Sequence, residues 1–139
     1  MAGGILVGSL IQADPLGMVI IAGSTLIPDI DSHYSKLGRI ILPVSWLIEK
    51  TIGHRGFFHS LLATLIITML VWFIVPQYSL FVGIGCLSHL ILDAFNPGGV
   101  PLLWPYHKKF SLPFTFKVGS LGEFAVLISL IGVYTLNYL

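Results

Sequence analysis

Charge is what this chain has least of. Of its 139 residues only 9% are Asp, Glu, Lys or Arg, seven basic and six acidic, whereas soluble chains average about 25%. Together with 55% hydrophobic residues and a mean hydropathy of +0.93, this excludes an ordinary soluble domain. The basic residues form no run and the net charge is +1, so no nucleic-acid partner is expected; binding a phosphate backbone requires clustered Lys and Arg. A single cysteine, Cys86, excludes an intramolecular disulfide and a CxxC-type metal knuckle. Gly and Pro show no period and the apolar fraction is too high for disorder, which removes the fibrous and disordered classes. No basic segment precedes the first apolar stretch, so no cleavable signal peptide is expected. Internal repeats and low-complexity linkers are also lacking. What is left is an all-α, polytopic integral membrane bundle of about four spans plus a short interfacial or re-entrant helix, with residues 1–139 as one membrane-embedded domain in the lipid bilayer.

A bilayer core needs about 20 mostly apolar residues per helix. Residues 56–76 contain no Asp, Glu, Lys or Arg, and 77–92 are a second apolar run, with Pro76-Gln77 as a tight turn. They predict a helical hairpin that crosses at 57–75 and returns at 78–95. Residues 119–139 are the last span, with Glu123 near its start. In the N-terminal part, Asp14-Pro15 interrupts two apolar stretches, and either one kinked span or two half-helices would fit. Residues 37–48 are too short to cross and read as interfacial or re-entrant, anchored by Trp46 and Lys50. The hairpin leaves 28–56 and 96–118 on one side, and these hold every basic residue, so both are expected to face the cytoplasm. If residues 4–28 form a single span, both termini lie on the far side.

Seven polar groups fall at that same face although they are spread over 95 residues: Asp29, Asp31, His54, His59, His89, Asp93 and Glu123. His89 and Asp93 are four apart, about 40° around a helix, so both point to one face. Asp29 and Asp31 are two apart and share a side if their segment is extended. His54 and His59 are a poor pair on a regular helix, at roughly 140°, so His54 is expected in the loop and His59 in the first turn. Imidazole nitrogens with carboxylate oxygens suit a divalent metal ion such as Zn²⁺, Mn²⁺ or Fe²⁺, and the set is large enough for two ions. Blander readings exist for each piece. The Asp pair would serve as turn or cap residues, His54-Arg55 as an anchor, and Glu123 as a partner for the helix dipole.

Three stretches in order then carry a resemblance: LIPDIDSHYSKLGR at 26–39, GHRGFFHSLL at 53–62 and GCLSHLILDAFNPGGVPLLWP at 85–105, with a weaker VGSLGEFAVL at 118–127. The chain resembles the bacterial LexA-regulated, membrane-bound predicted metal-dependent hydrolases. That similarity implies a multi-pass protein of the bacterial plasma (inner) membrane, with Asp29, Asp31, His54, His59, His89 and Asp93 as candidate metal ligands. It also implies expression that responds to DNA damage. Relatives of that kind carry a Thr-His pair in the first helix, which MAGGILVGSLIQAD lacks; either the chain starts later or one ligand is absent.

The expectation is therefore a membrane-bound metal-dependent hydrolase with its site at the cytoplasmic interface. Metal is assigned to Asp29, Asp31, His59, His89 and Asp93. His54 is assigned as outer ligand or proton shuttle and Glu123 as general base or supporting carboxylate. Arg55 and Arg39 are assigned to an anionic group of a lipid-linked ester or phosphoester substrate. The rivals are a metal or proton transporter, with Asp14 supplying the distant half of a relay, and a non-catalytic stress-response protein held together by its His and Asp residues.

Overall fold

The computed structural model describes residues 2–32, 34–52, 56–106, 108–113 and 115. The expected last span at 119–139 lies outside them. The chain folds in order into α1 (Ala2–Leu10), α2 (Pro15–Ser24), a 3-10 turn at Pro28–Asp31, α3 (Lys36–Ile40), α4 (Leu42–Ile52), a second 3-10 turn at Phe57–His59, α5 (Leu61–Ile74) and α6 (Pro76–Ala94). No strand occurs among the described residues; Val100 and Phe110 exchange a pair of 2.8 Å backbone hydrogen bonds as an isolated bridge.

Local chemistry sets each boundary. The N-terminal alternatives resolve into two short helices. The N–H of Ala13 bonds to Gly8 O at 2.9 Å, and Gln12 takes a left-handed φ of 53°, closing α1. Asp14 then caps α2, its Oδ1 accepting the Gly17 N–H at 3.1 Å, and Pro15 fills the first helical position, where no N–H is needed. Ser60 starts α5 in the same way. Its extended backbone ends the Phe57–His59 turn while its Oγ accepts the Ala63 N–H at 3.1 Å. α5 is therefore 14 residues, shorter than the apolar run it sits in. The link to α6 is Val75, and Pro76 belongs to α6 as its first residue, one step ahead of the expected turn. Substituting Ser60 by Ala is expected to lower stability by about 1 kcal/mol, read as a lower unfolding temperature in detergent.

The helices pack through small residues. Gly4 of α1 lies against Ile21 and Thr25 at the end of α2 and Gly8 against Met18 and Ile21, so the two run antiparallel. Gly85 of α6 lies against Ile21 and Ser24, and Gly17 against Phe81, so α2 and α6 run parallel. Gly83 faces Thr68, which sets α5 antiparallel to α6. Gly3 reaches Leu92, so α1 begins at the end of the bundle where α6 finishes. This differs from the single-span expectation, because a capped turn at Asp14 sends the chain back.

Small and hydroxylic side chains are packed inside together with Ile21, Val82, Leu90 and Val100, while many large apolar side chains lie outside. The buried residues include Ser9, Ser24, Thr25, Thr64, Ser79 and Ser88, while Leu65, Leu70, Trp72 and Phe73 of α5 and Leu80 and Ile91 of α6 are exposed. The buried hydroxyls of Ser24, Thr25 and Ser88 donate to carbonyls of their own helices at 2.7–3.0 Å. Small and hydroxylic residues inside with large apolar ones outside is the pattern of helices packed in lipid. By length and composition α6, at 19 residues, is long and apolar enough to cross a membrane, and α5 is a shorter apolar helix. The stretch expected at the interface folds as two helices, α3 and α4. Trp46 and Leu47 of α4 are exposed, and Lys50 Nζ stands 4.9 Å from the Trp46 ring centre.

Candidate metal centre

The parallel pairing of α2 and α6 decides where the polar residues meet. α2 delivers the Pro28–Asp31 turn to the level of the last turns of α6, and α5 starts there from the Phe57–His59 turn. Asp29, His59, His89 and Asp93 converge at this end. His59 Nε2 lies 3.6 Å from Asp29 Oδ1 and 3.5 Å from Asp93 Oδ2; His89 Nε2 lies 3.6 Å from each of the same two oxygens. The two rings stand edge to face, 5.5 Å between centres.

Asp29, His59 and His89 each offer one ligand atom, all within 4.8 Å of one another, and Asp93 Oδ2 lies against both imidazoles. The four contacts are too long for hydrogen bonds. Both Nε2 atoms are buried without a hydrogen-bond partner, a condition costing about 1–3 kcal/mol per group unless something else binds there. Two nitrogens and two carboxylate oxygens suit Zn²⁺ and are acceptable to Mn²⁺ or Fe²⁺. Exposure rises across the set, from 1% at His59 through 16% and 19% at His89 and Asp93 to 34% at Asp29, so the cluster opens on the Asp29 side.

Asp31 departs from its expected place beside Asp29. The segment is a 3-10 turn, not extended chain, and at three residues per turn positions two apart point about 120° away from each other. Asp31 is 0% exposed, and its Oδ2 faces the other nitrogen of His59, Nδ1, at 3.2 Å. The same oxygen accepts the Gly56 backbone N–H at 3.3 Å. His89 and Asp93 do share a helix face, as their spacing predicts. Arg39 stands exposed in the last turn of α3 rather than in the buried cluster. His54, Arg55 and Glu123 lie outside the described residues. Asp14 caps α2 at the opposite end of the bundle.

Sequence reading missed two features. Ser45 of α4 is fully buried, and α4 packs on the Pro28–Asp31 turn. The segment after α6 also straps the site's end: Leu61 N–H bonds to Leu102 O at 3.0 Å, Leu112 N–H to Ala94 O at 2.8 Å, and Phe57 packs edge-on against Trp104. Backbone hydrogen bonds made by a loop leave no residue-type signal, so only the Gly- and Pro-rich composition around 96–105 hinted at a turn there.

Comparison with known proteins places this arrangement. No solved structure is significantly similar to the chain. The uncharacterized protein YvsG of Bacillus subtilis (strain 168) is 40% identical over 111 residues, 78% of this chain and 69% of YvsG. The inner membrane protein YdjM of Escherichia coli K12 is 43% identical over 95 residues, 63% of this chain and 48% of YdjM. The inner membrane protein YbcI of the same organism is 36% identical over 112 residues, 73% of this chain and 60% of YbcI. The alignment thus spans about half to two thirds of these relatives' lengths. The model of the family "YdjM inner membrane protein" matches residues 1–138, so the chain, helical among its described residues and with a His/Asp cluster at one end, belongs to the YdjM inner membrane protein family.

Proposed function

We propose that this protein is a multi-pass enzyme of the bacterial inner membrane, a metal-dependent hydrolase whose site lies at the cytoplasmic interface. The observation that carries this reading is the Asp29, His59 and His89 group, one ligand atom from each within 4.8 Å of the others, with two orphaned imidazole nitrogens. In this reading His59, His89 and Asp29 would hold one divalent ion, with Asp93 beside both imidazoles as a further donor. The ion, when bound, supplies Lewis acidity toward an ester or phosphoester oxygen. Asp29, the most exposed of the four, marks the side from which substrate approaches. His54 and Glu123 serve as proton shuttle and base, and Arg55 and Arg39 hold an anionic headgroup through paired hydrogen bonds. About four spans carry the site. The basic loops face the cytoplasm, α3 and α4 lie along the interface, and expression follows DNA damage as in the hydrolase family the motifs resemble.

A site at headgroup depth favours an amphiphilic substrate, a lipid-linked ester or phosphoester. Detergent-purified protein is expected to carry about one equivalent of zinc, manganese or iron by elemental analysis. It is expected to hydrolyse members of a panel of lipid esters and phosphoesters, with loss of turnover on chelation and recovery on adding back the metal. Metal-free protein near neutral pH would sink the reading. Metal bound with no hydrolysis across the panel would shift the assignment to metal transport.

A further inference from the structure

The His59–Asp31 pair points to a role for Asp31 distinct from that of a ligand. We infer that Asp31 is a positioning residue that holds His59 in the tautomer whose Nε2 is free to bind metal; this rests on the metal reading of the site. Asp31 Oδ2 accepts the Gly56 N–H and faces His59 as an acceptor. The 3.2 Å contact to His59 Nδ1 therefore needs the hydrogen on the imidazole. A neutral ring with its proton on Nδ1 has its lone pair on Nε2, the atom 3.5–3.6 Å from Asp29 and Asp93. Asp31 is fully buried and His59 nearly so, and water does not compete for this hydrogen bond. A carboxylate behind a ligating histidine also raises the basicity of the nitrogen that binds the ion. The Gly56 N–H fixes the carboxylate in turn, tying the turn ahead of α5 to the one after α2.

Two substitutions separate this role from ligation and from folding. Asp31→Asn retains an oxygen able to accept both hydrogen bonds and loses the charge; Asp31→Ala loses both. The readouts are zinc affinity by chelator competition and the nitrogen and Nδ1–H resonances of His59 in ¹⁵N-histidine-labelled protein in micelles. In wild type a hydrogen-bonded Nδ1–H is expected, retained in Asp31→Asn and lost in Asp31→Ala. Zinc affinity is expected to fall about 10–100-fold in Asp31→Ala and less than about tenfold in Asp31→Asn. Wild-type affinity in Asp31→Ala with the resonance unchanged would overturn the inference. So would X-ray absorption showing one oxygen ligand fewer in Asp31→Ala than in wild type, since Asp31 would then be a ligand. Where Asp31→Ala does not fold, Asp31→Asn decides: an Nδ1–H form supports the role and an Nε2–H form refutes it. If wild type holds no zinc, the metal reading falls, and the Nδ1–H resonance of metal-free wild type, present or absent, judges the pairing on its own.

Discussion

Purified His89→Ala/Asp93→Asn protein is expected to retain no zinc, while its helical content and unfolding temperature in the absence of metal stay close to wild type. The two residues lie one helical turn apart on α6 and supply half of the four donor atoms. A four-ligand zinc site in a small domain binds with about 10–16 kcal/mol, and removing two ligands forfeits roughly half of it. The affinity should fall by about 10⁴-fold or more. The double change leaves the His59–Asp31 hydrogen bond in place and removes an orphaned buried nitrogen, so the fold has little to lose. Two measurements check this: elemental analysis after dialysis, and the rise in unfolding temperature on adding zinc. A ligand present at 100 times its Kd stabilises the folded state by about 2.7 kcal/mol, so wild type should show a clear shift and the double variant none. Stoichiometric zinc in the double variant would remove these residues from the site.

Gly85→Val should be the most damaging change away from the cluster. A Cβ at position 85 would meet the Ile21 carbonyl oxygen at 2.5 Å as well as the Ser24 side chain, and a backbone atom cannot swing aside. Overpacking a helix contact costs about 1–3 kcal/mol and sometimes more. Here the effect reaches the metal centre as well, because the α2–α6 contact sets the height at which the Pro28–Asp31 turn meets His89. The variant is expected to unfold at a lower temperature in detergent and to lose zinc. Gly23→Ala is the control: nothing lies within 4 Å of its added methyl, and α2 should be unchanged or firmer by up to about 1 kcal/mol. A Gly85→Val protein with wild-type unfolding and zinc content would mean that α2 and α6 do not meet there.

Much of the candidate centre was legible because helical geometry is periodic. The i, i+4 spacing of His89 and Asp93 puts them on one face wherever the helix goes, and α6 bears this out. Asp29 and Asp31 were legible as a pair and illegible as to role. A segment begun by Pro28 can be extended or 3-10, and the two forms send the second carboxylate to different nitrogens of His59. Helix lengths were overestimated where an uncharged run continued past a cap: residues 56–60 hold no Asp, Glu, Lys or Arg, yet the Ser60 side chain accepts the Ala63 N–H and its backbone ends the preceding turn.

Sequence alone pointed to a membrane protein, and the described residues bring Asp29, His59, His89 and Asp93 to one end of the helices, as their places in the sequence suggest. Thirteen charged residues among 139, with the His and Asp groups at matching ends of apolar runs, leave few other arrangements, because unpaired charge is costly in lipid. Tertiary structure decided the direction of the N-terminal helices, the split between Asp29 and Asp31, and the four-atom spacing around His59 and His89. Those depend on close approach of Gly4, Gly8 and Gly85 to Ile21 and on single hydrogen bonds at Asp14, Ser60 and Gly56. Distances between residues 28 to 60 positions apart arise from packing, which no local periodicity encodes.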